Sequence, residues 1–272
     1  MTAFLYFPNY LCYNIPGDFM RYYKRLPLEG MSNCRDLGGY PTKYGKVTKF
    51  GVFVRSEAPV DATERDVAFL KRYGIVKSLD FRGEKAVEQF PSKLNTEGIE
   101  YIHMPMYSRD DAIRLEEAGK DPSKLFSGWG KTYITWLESY KGWLRDIFFH
   151  LANTDGIVQY NCNAGKDRTG VPTALVLAIS GVALSDIAFD YCISRTMLKP
   201  RFKYIMKQWG SFLKNDKGQL IVNHPFLYTP REAMYQMFKY IESEYGSAES
   251  YLLSCGVTER EINKIQSKLL NN

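Results

Sequence analysis

The stretch Ile157-Val158-Gln159-Tyr160-Asn161-Cys162-Asn163-Ala164-Gly165-Lys166-Asp167-Arg168-Thr169-Gly170 changes character twice. Ile157 to Tyr160 is β-branched and apolar, the mark of a short buried strand. The loop that follows brings one cysteine, a small-residue pair and three charges together. From Val171 to Gly181 the chain is almost wholly apolar, with Pro172 where the first turn of a helix tolerates it and Gly181 as a stop. The order is strand, tight loop, helix. In that order the loop's backbone N–H groups and the positive end of the helix converge on one point, which makes an anion site.

Cys162 heads the loop and Arg168 follows six residues later. The helix end, Lys166 and Arg168 together favour the thiolate form of the cysteine. Arg168 offers a planar fork of donors that matches two phosphate oxygens at once, which a lysine does not. A thiolate nucleophile beside a phosphate cradle implies phosphoryl transfer through a phosphocysteine intermediate. A bare Cys-x5-Arg spacing also occurs where a strand-to-helix turn merely buries a cysteine. Gly165, the Lys-Asp-Arg triplet and the Thr-Gly helix start set this loop apart.

Cys162 to Gly170 resembles the signature loop of the cysteine-dependent protein tyrosine phosphatase superfamily. Its Gly-Lys-Asp-Arg-Thr-Gly form is similar to that of the bacterial protein tyrosine/serine phosphatase family, some of whose members also hydrolyse phosphoinositides. Asn33-Cys34-Arg35-Asp36-Leu37-Gly38-Gly39-Tyr40 resembles that family's opening motif, and Glu244 to Leu252 its closing helical segment. The resemblance runs from about Leu26 to the C-terminus; the loop motif is highly specific and the other two less so. Two positions depart from the pattern. Asn161 stands where the family usually has histidine, so an uncharged amide replaces a group that helps hold the thiolate. Cys34 stands where an aromatic is usual, a change of packing.

The resemblance implies roles for named residues. Cys162 attacks phosphorus, while Arg168 and the loop N–H groups, with Asn163, Ala164, Gly165 and Lys166 as substrate-binding positions, hold the equatorial oxygens. Asp167 is the first choice for the general acid that protonates the leaving oxygen, and Asp80 the second. Thr169 hydrogen-bonds the departing thiolate. Lys166 adds charge that suits a phosphate or an inositol headgroup. No cofactor or metal enters this scheme.

The rest of the chain sets the frame. At 272 residues it is long enough for one large domain, and 45% hydrophobic with 24% charged residues is the balance of a soluble globular protein. Its five cysteines (12, 34, 162, 192 and 255) form neither metal pairs nor a disulfide framework, which favours a reducing, cytoplasmic setting. The three histidines are isolated, against a zinc site. A net charge of +6 is mild for a nucleic-acid binder and fits attraction of anionic phosphorylated substrates. With that mild charge no nucleic-acid partner is expected, and since no stretch reaches membrane-spanning length, stable membrane insertion is not expected either. The sequence leaves the oligomeric state open.

In order along the chain, residues 1–25 read as an N-terminal extension and 26–272 as a tyrosine-phosphatase-like domain. Lys46 to Val54 alternates weakly, as one or two strands ending in Arg55-Ser56, where structural hydrogen bonding is expected. Asp61 or Thr63 caps a helix ended by Gly74. Ile75–Phe81 and Ile99–Met104 are strands, with a short helix at Lys85–Gln89. Tyr133 to Leu151 reads as one amphipathic helix of about five turns. Residues 107–130 are polar and glycine-rich, expected to be mobile near the site. Basic and aromatic residues interleave from Arg195 to Lys217, as a solvated helix pair or a lid over the loop. Arg231–Tyr245 and Thr258–Leu270 are expected to be surface helices on the sheet. The pattern is α/β: a single domain with a mostly parallel central sheet, flanking helices and a helical lid. Asp80 and Cys162 both fall at strand C-termini, where ligands of such sheets bind.

Three functions remain in view. The first is hydrolysis of phosphotyrosine in proteins, extending to phosphoserine or phosphothreonine. The second is a phosphoinositide phosphatase, supported by Lys166 and the basic segment. The third is a non-catalytic phosphate-binding module, for which only Asn161 speaks. The Arg-Thr-Gly ending argues against a sulfurtransferase.

Overall fold

The computed structural model describes residues 24–106, 128–201 and 229–270. The expected mobile segment lies outside these residues except for its end at 128–130, as do the N-terminal extension up to residue 23 and the expected lid from residue 202.

The strand Ile157–Asn161 lies inside a six-stranded sheet, and all five of its residues are buried, as a strand covered on both faces requires. Numbered along the chain, the strands are β1 (Lys24–Arg25), β2 (Arg35–Asp36), β3 (Phe53–Ser56), β4 (Ile75–Asp80), β5 (Glu100–His103) and β6 (Ile157–Asn161). Their order is β1-β2-β3-β6-β4-β5. The β3–β6, β6–β4 and β4–β5 pairs are parallel, and β1–β2 and β2–β3 are antiparallel. The parallel core brings Ser56, Asp80 and Asn161 level at one edge, since Ser56 and Asp80 both pair with Asn161.

Side chains alternate across the sheet. Val158, Tyr160, Phe53 and Leu79 enter the larger core, whereas Ile157, Val54 and Ile75 enter a smaller one. Helix α1 (Glu64–Tyr73) covers the smaller core with Leu70. Thr63 accepts from Asp66 N–H while the Asp66 carboxylate accepts from Thr63 N–H, and Gly74 ends the helix at φ 107°. A short α2 (Glu84–Gln89) follows β4.

The larger core is roofed by α3 (Trp129–Ser139), α4 (Lys141–Asn153), α5 (Asp167–Ile179), α6 (Leu184–Leu198), α7 (Arg231–Tyr245), α8 (Ala248–Ser254) and α9 (Glu259–Leu270). Four expectations change. The single helix expected over Tyr133–Leu151 is two, broken at Tyr140 (φ −123°, ψ 34°) just before the poor helix former Gly142. α5 begins at Asp167 rather than near Val171, so Pro172 sits in its second turn and removes the N–H that would reach the Arg168 carbonyl. Of Lys46–Val54 only Phe53-Val54 is strand; Val47 makes an isolated bridge to Pro41. Finally, α7 packs on α3 and α6, and α9 on α4 and α5, forming an outer layer on helices rather than on the sheet.

Candidate active site

The loop between β6 and α5 runs from Cys162 to Lys166, with the carbonyls of Asn163 to Lys166 turned back into the protein. Four consecutive carbonyls accept hydrogen bonds from distant parts of the chain. Asn163 O accepts from Ala58 N–H at 3.0 Å. Asn33 Nδ2 donates to Ala164 O at 2.8 Å and to Gly165 O at 3.2 Å. Arg55 Nη2 donates to Gly165 O at 2.8 Å and to Lys166 O at 3.2 Å. A peptide whose C=O faces the protein turns the following N–H toward the other side, so this pattern leaves the loop N–H groups to converge at the head of α5. Gly165 makes the tightest turn, at φ 64°. A Cβ there would stand 2.2 Å from Ser56 O, so only glycine fits.

Cys162 is buried at the start of this loop, with 3% of its surface exposed. Asn163, Asp167 and Arg168 are half-buried and mark the open side. Arg168 Nη1 donates to Phe81 O at 3.0 Å, which ties the guanidinium to the end of β4. Lys166 is buried, with Nζ 3.4 Å from Asp167 Oδ2 and 4.7 Å from the centre of the Trp129 ring. Burial pushes the Lys166 ammonium's pKa down, while Asp167 and Cys162 pull it back up. Thr169 Oγ1 is buried and has no hydrogen-bond partner among the described residues.

Asp167 is held by residues that sequence reading did not single out. Tyr133 of α3 donates to its Oδ1 at 2.5 Å, and Tyr191 of α6 donates to the same oxygen at 3.3 Å. Burial first, then the Asp167 charge, push both phenols well above their ordinary range, so they remain protonated donors. Asp80 reaches the same sheet edge, but its carboxylate is fully buried and surrounded. Arg82 donates from Nε at 2.9 Å and Nη2 at 2.6 Å, Tyr101 OH at 3.0 Å, and Asn161 Nδ2 at 3.0 Å. Asn161, at the departure from the family pattern, therefore directs an amide proton to Asp80. Its Oδ1 accepts from Gln159 Nε2 at 3.0 Å, and Gln159 is bonded in turn to Ser78 and Ser56.

Arg35 and Arg55 both meet Asp190 of α6 in a fully buried cluster. Burial alone raises the Asp190 pKa, but the two guanidinium groups outweigh it and bring it down to about 2. Asn33 and Arg35 lie within the quoted opening motif, and Arg55 in the Arg-Ser pair; nothing in the sequence marks Asp190.

Among the described residues there is no group of side chains placed to hold a metal ion, and no helix is long and apolar enough to cross a membrane. Comparison with solved structures finds Pseudomonas aeruginosa TpbA, crystallised in complex with phosphotyrosine. The likeness has a TM-score of 0.41 and 12% identity, covering 88% of this chain and 98% of that one. Among curated proteins, a tyrosine-protein phosphatase of Nostoc commune is 27% identical over 80% of this chain and 74% of its own length. A candidate tyrosine-protein phosphatase of Cupriavidus necator is 29% identical over 61% of each chain. The family model described as the tyrosine phosphatase family matches residues 26–271, and this chain belongs to that family.

Proposed function

We propose that this protein hydrolyses phosphotyrosine in proteins by way of a phosphocysteine at Cys162. The observation that carries the reading is the loop's hold on the protein behind it: four consecutive carbonyls gripped from behind, with Cys162 at one end and Arg168 at the other. In this scheme the Cys162 thiolate attacks phosphorus, and the loop N–H groups with Arg168 hold the three equatorial oxygens. Because those donors are set before charge builds on the oxygens, they favour the transition state over the ground state. The leaving phenolate takes a proton from Asp167, whose Oδ1 is held by the two tyrosines and whose Oδ2 lies 3.4 Å from Lys166 Nζ. In the second step the same group removes a proton from the attacking water, and Cys162 leaves as a thiolate. Thr169, with its hydroxyl unmatched in the described protein, suits the donor to that thiolate.

Asp80, the second choice for the acid, is surrounded by Arg82, Tyr101 and Asn161. This supports giving it the role of a structural anchor. Lys166 lies against Trp129 and Asp167 rather than in the open. This favours an aryl phosphate on protein over a polyanionic inositol headgroup.

The test is phosphate release from a phosphotyrosine peptide, a phosphoserine peptide and a soluble phosphoinositide, all in excess EDTA, with wild type beside Cys162→Ser. Turnover of the phosphotyrosine peptide that survives the chelator and vanishes in the variant supports the reading. Better turnover of the phosphoinositide moves the substrate class. No turnover, with tight phosphate-ester binding retained, makes the protein a binding module.

A further inference from the structure

We infer that Asp190, a residue of α6 outside the loop, is the common positioning residue for the two side chains, Asn33 and Arg55, that grip the phosphate loop. The inference rests on reading Cys162 to Thr169 as that loop. Asp190 acts on Arg55 directly, through an ion pair between Oδ2 and Nη1, while Arg55 Nη2 reaches Gly165 O and Lys166 O. It acts on Asn33 through Arg35. Arg35 Nε donates to Asp190 Oδ1 at 2.9 Å and its Nη2 to Asp190 O at 2.7 Å, while Arg35 Nη1 donates to Asn33 Oδ1. An amide whose oxygen is fixed in this way must present its nitrogen on the other side, and Asn33 Nδ2 is the donor to Ala164 O and Gly165 O. One carboxylate thus sets the direction of two donors that meet on the same glycine carbonyl from different segments. Tyr40 OH at 2.9 Å from Oδ1 and Ser194 Oγ at 3.0 Å from Arg35 Nη2 complete the setting.

Two features separate this cluster from a simple stabilising ion pair. It holds two guanidinium groups against one carboxylate, all fully buried, so it carries an excess positive charge directly behind a loop built to receive an anion. It also leaves Arg55 Nε without a hydrogen-bond partner. A buried orphan donor costs stability, and an apolar residue of similar size would avoid that cost. What the arginine supplies and an apolar residue cannot is its reach to two loop carbonyls.

The experiment measures binding of the tetrahedral oxyanion tungstate and steady-state turnover of a phosphotyrosine peptide, at a temperature well below each variant's unfolding midpoint. Asp190→Asn keeps the size of the side chain and removes its charge. Arg55→Lys keeps the charge and removes the fork. Asn33→Ala removes a loop donor and one acceptor of Arg35 Nη1 while both Asp190 ion pairs remain, and together with Arg55→Lys it reads the grip on the loop if Asp190→Asn does not fold. Arg168→Lys is the control for the loop itself. We expect each of the first three to weaken tungstate and kcat/KM together, by ~10- to 100-fold, in protein that still unfolds cooperatively. Arg168→Lys should do the same or worse. If Arg168→Lys loses both readouts while the other variants change only the unfolding midpoint, the cluster is structural and the inference fails. If Arg168→Lys also leaves both readouts intact, the loop assignment itself is wrong.

Discussion

Gly165→Ala is the sharpest single perturbation of the site. The native residue has φ 64°, and a Cβ built on it stands 2.2 Å from Ser56 O and 2.4 Å from Glu57 N. Both are backbone atoms. Ser56 ends β3 and is paired with Asn161, so it has little freedom to retreat. Relieving the contact to the 3.0 Å that real Cβ atoms respect moves the loop by nearly an ångström. That movement would also pull Gly165 O away from Arg55 and Asn33. The left-handed backbone adds ~1–2 kcal/mol, and overpacking a further ~1–3 kcal/mol. Misplacing catalytic donors by about an ångström costs on the order of 100-fold in rate. The expected outcome is therefore a folded protein, destabilised by ~2–5 kcal/mol, with kcat/KM for a phosphotyrosine peptide down by at least about 100-fold. Thermal unfolding and steady-state kinetics read the two effects separately. Activity within about threefold of wild type at unchanged stability would refute the claim that this loop is held rigidly from behind.

Further expectations follow from the same contacts. The Asp190 pKa is down at about 2 in the folded chain, against about 3.9 for a free aspartate, so the folded state favours its ionised form. This contributes ~2 kcal/mol that is fully present above about pH 4 and lost as the pH falls through about 2; acid unfolding of Asp190→Asn should lack that component. Asp167→Asn should lower kcat by ~100-fold or more on a phenyl phosphate with a poor leaving group and remove the alkaline limb of the pH–rate profile. Asp80→Asn should instead cost ~3 kcal/mol of stability by leaving Arg82 buried and unpaired, with kcat of the folded enzyme near wild type. Identical pH profiles for the two variants would reverse or void the assignment. Thr63→Ala should cost ~1 kcal/mol by removing the cap of α1, read from denaturant unfolding, with activity unchanged.

What could be read in advance was local. Thr63, Asp66 and Gly74 bracket α1 by capping chemistry that acts within one turn, and the β6–loop–α5 unit follows from a strand run, a glycine and a charged helix start. The break at Tyr140 escaped because the apolar stripe continues on both sides of it, and periodicity does not register one non-helical residue. The start of α5 was placed late because Asp167 to Gly170 are polar or small, although an anion-binding helix end has use for such residues. The second rank of the site was hidden for a different reason. Asn33, Arg55 and Ala58 act on the loop across separations of up to 132 residues, Asp190 holds Arg35 across 155, and only the order of the strands brings them together. Asp80 shows the converse: its place at a strand end is legible in the sequence, but which way its carboxylate is engaged depends on Arg82 just past β4, Tyr101 within β5 and Asn161 at the end of β6.

The measurement that bears most directly on the account is acid quenching of the enzyme during turnover of a phosphotyrosine peptide, followed by peptide mass spectrometry. The account predicts a phosphoryl group on Cys162, present in wild type, longer-lived in Asp167→Asn, which lacks the base of the hydrolytic step, and absent in Cys162→Ser. Turnover with no label on Cys162, or a label carried by another residue, would contradict it.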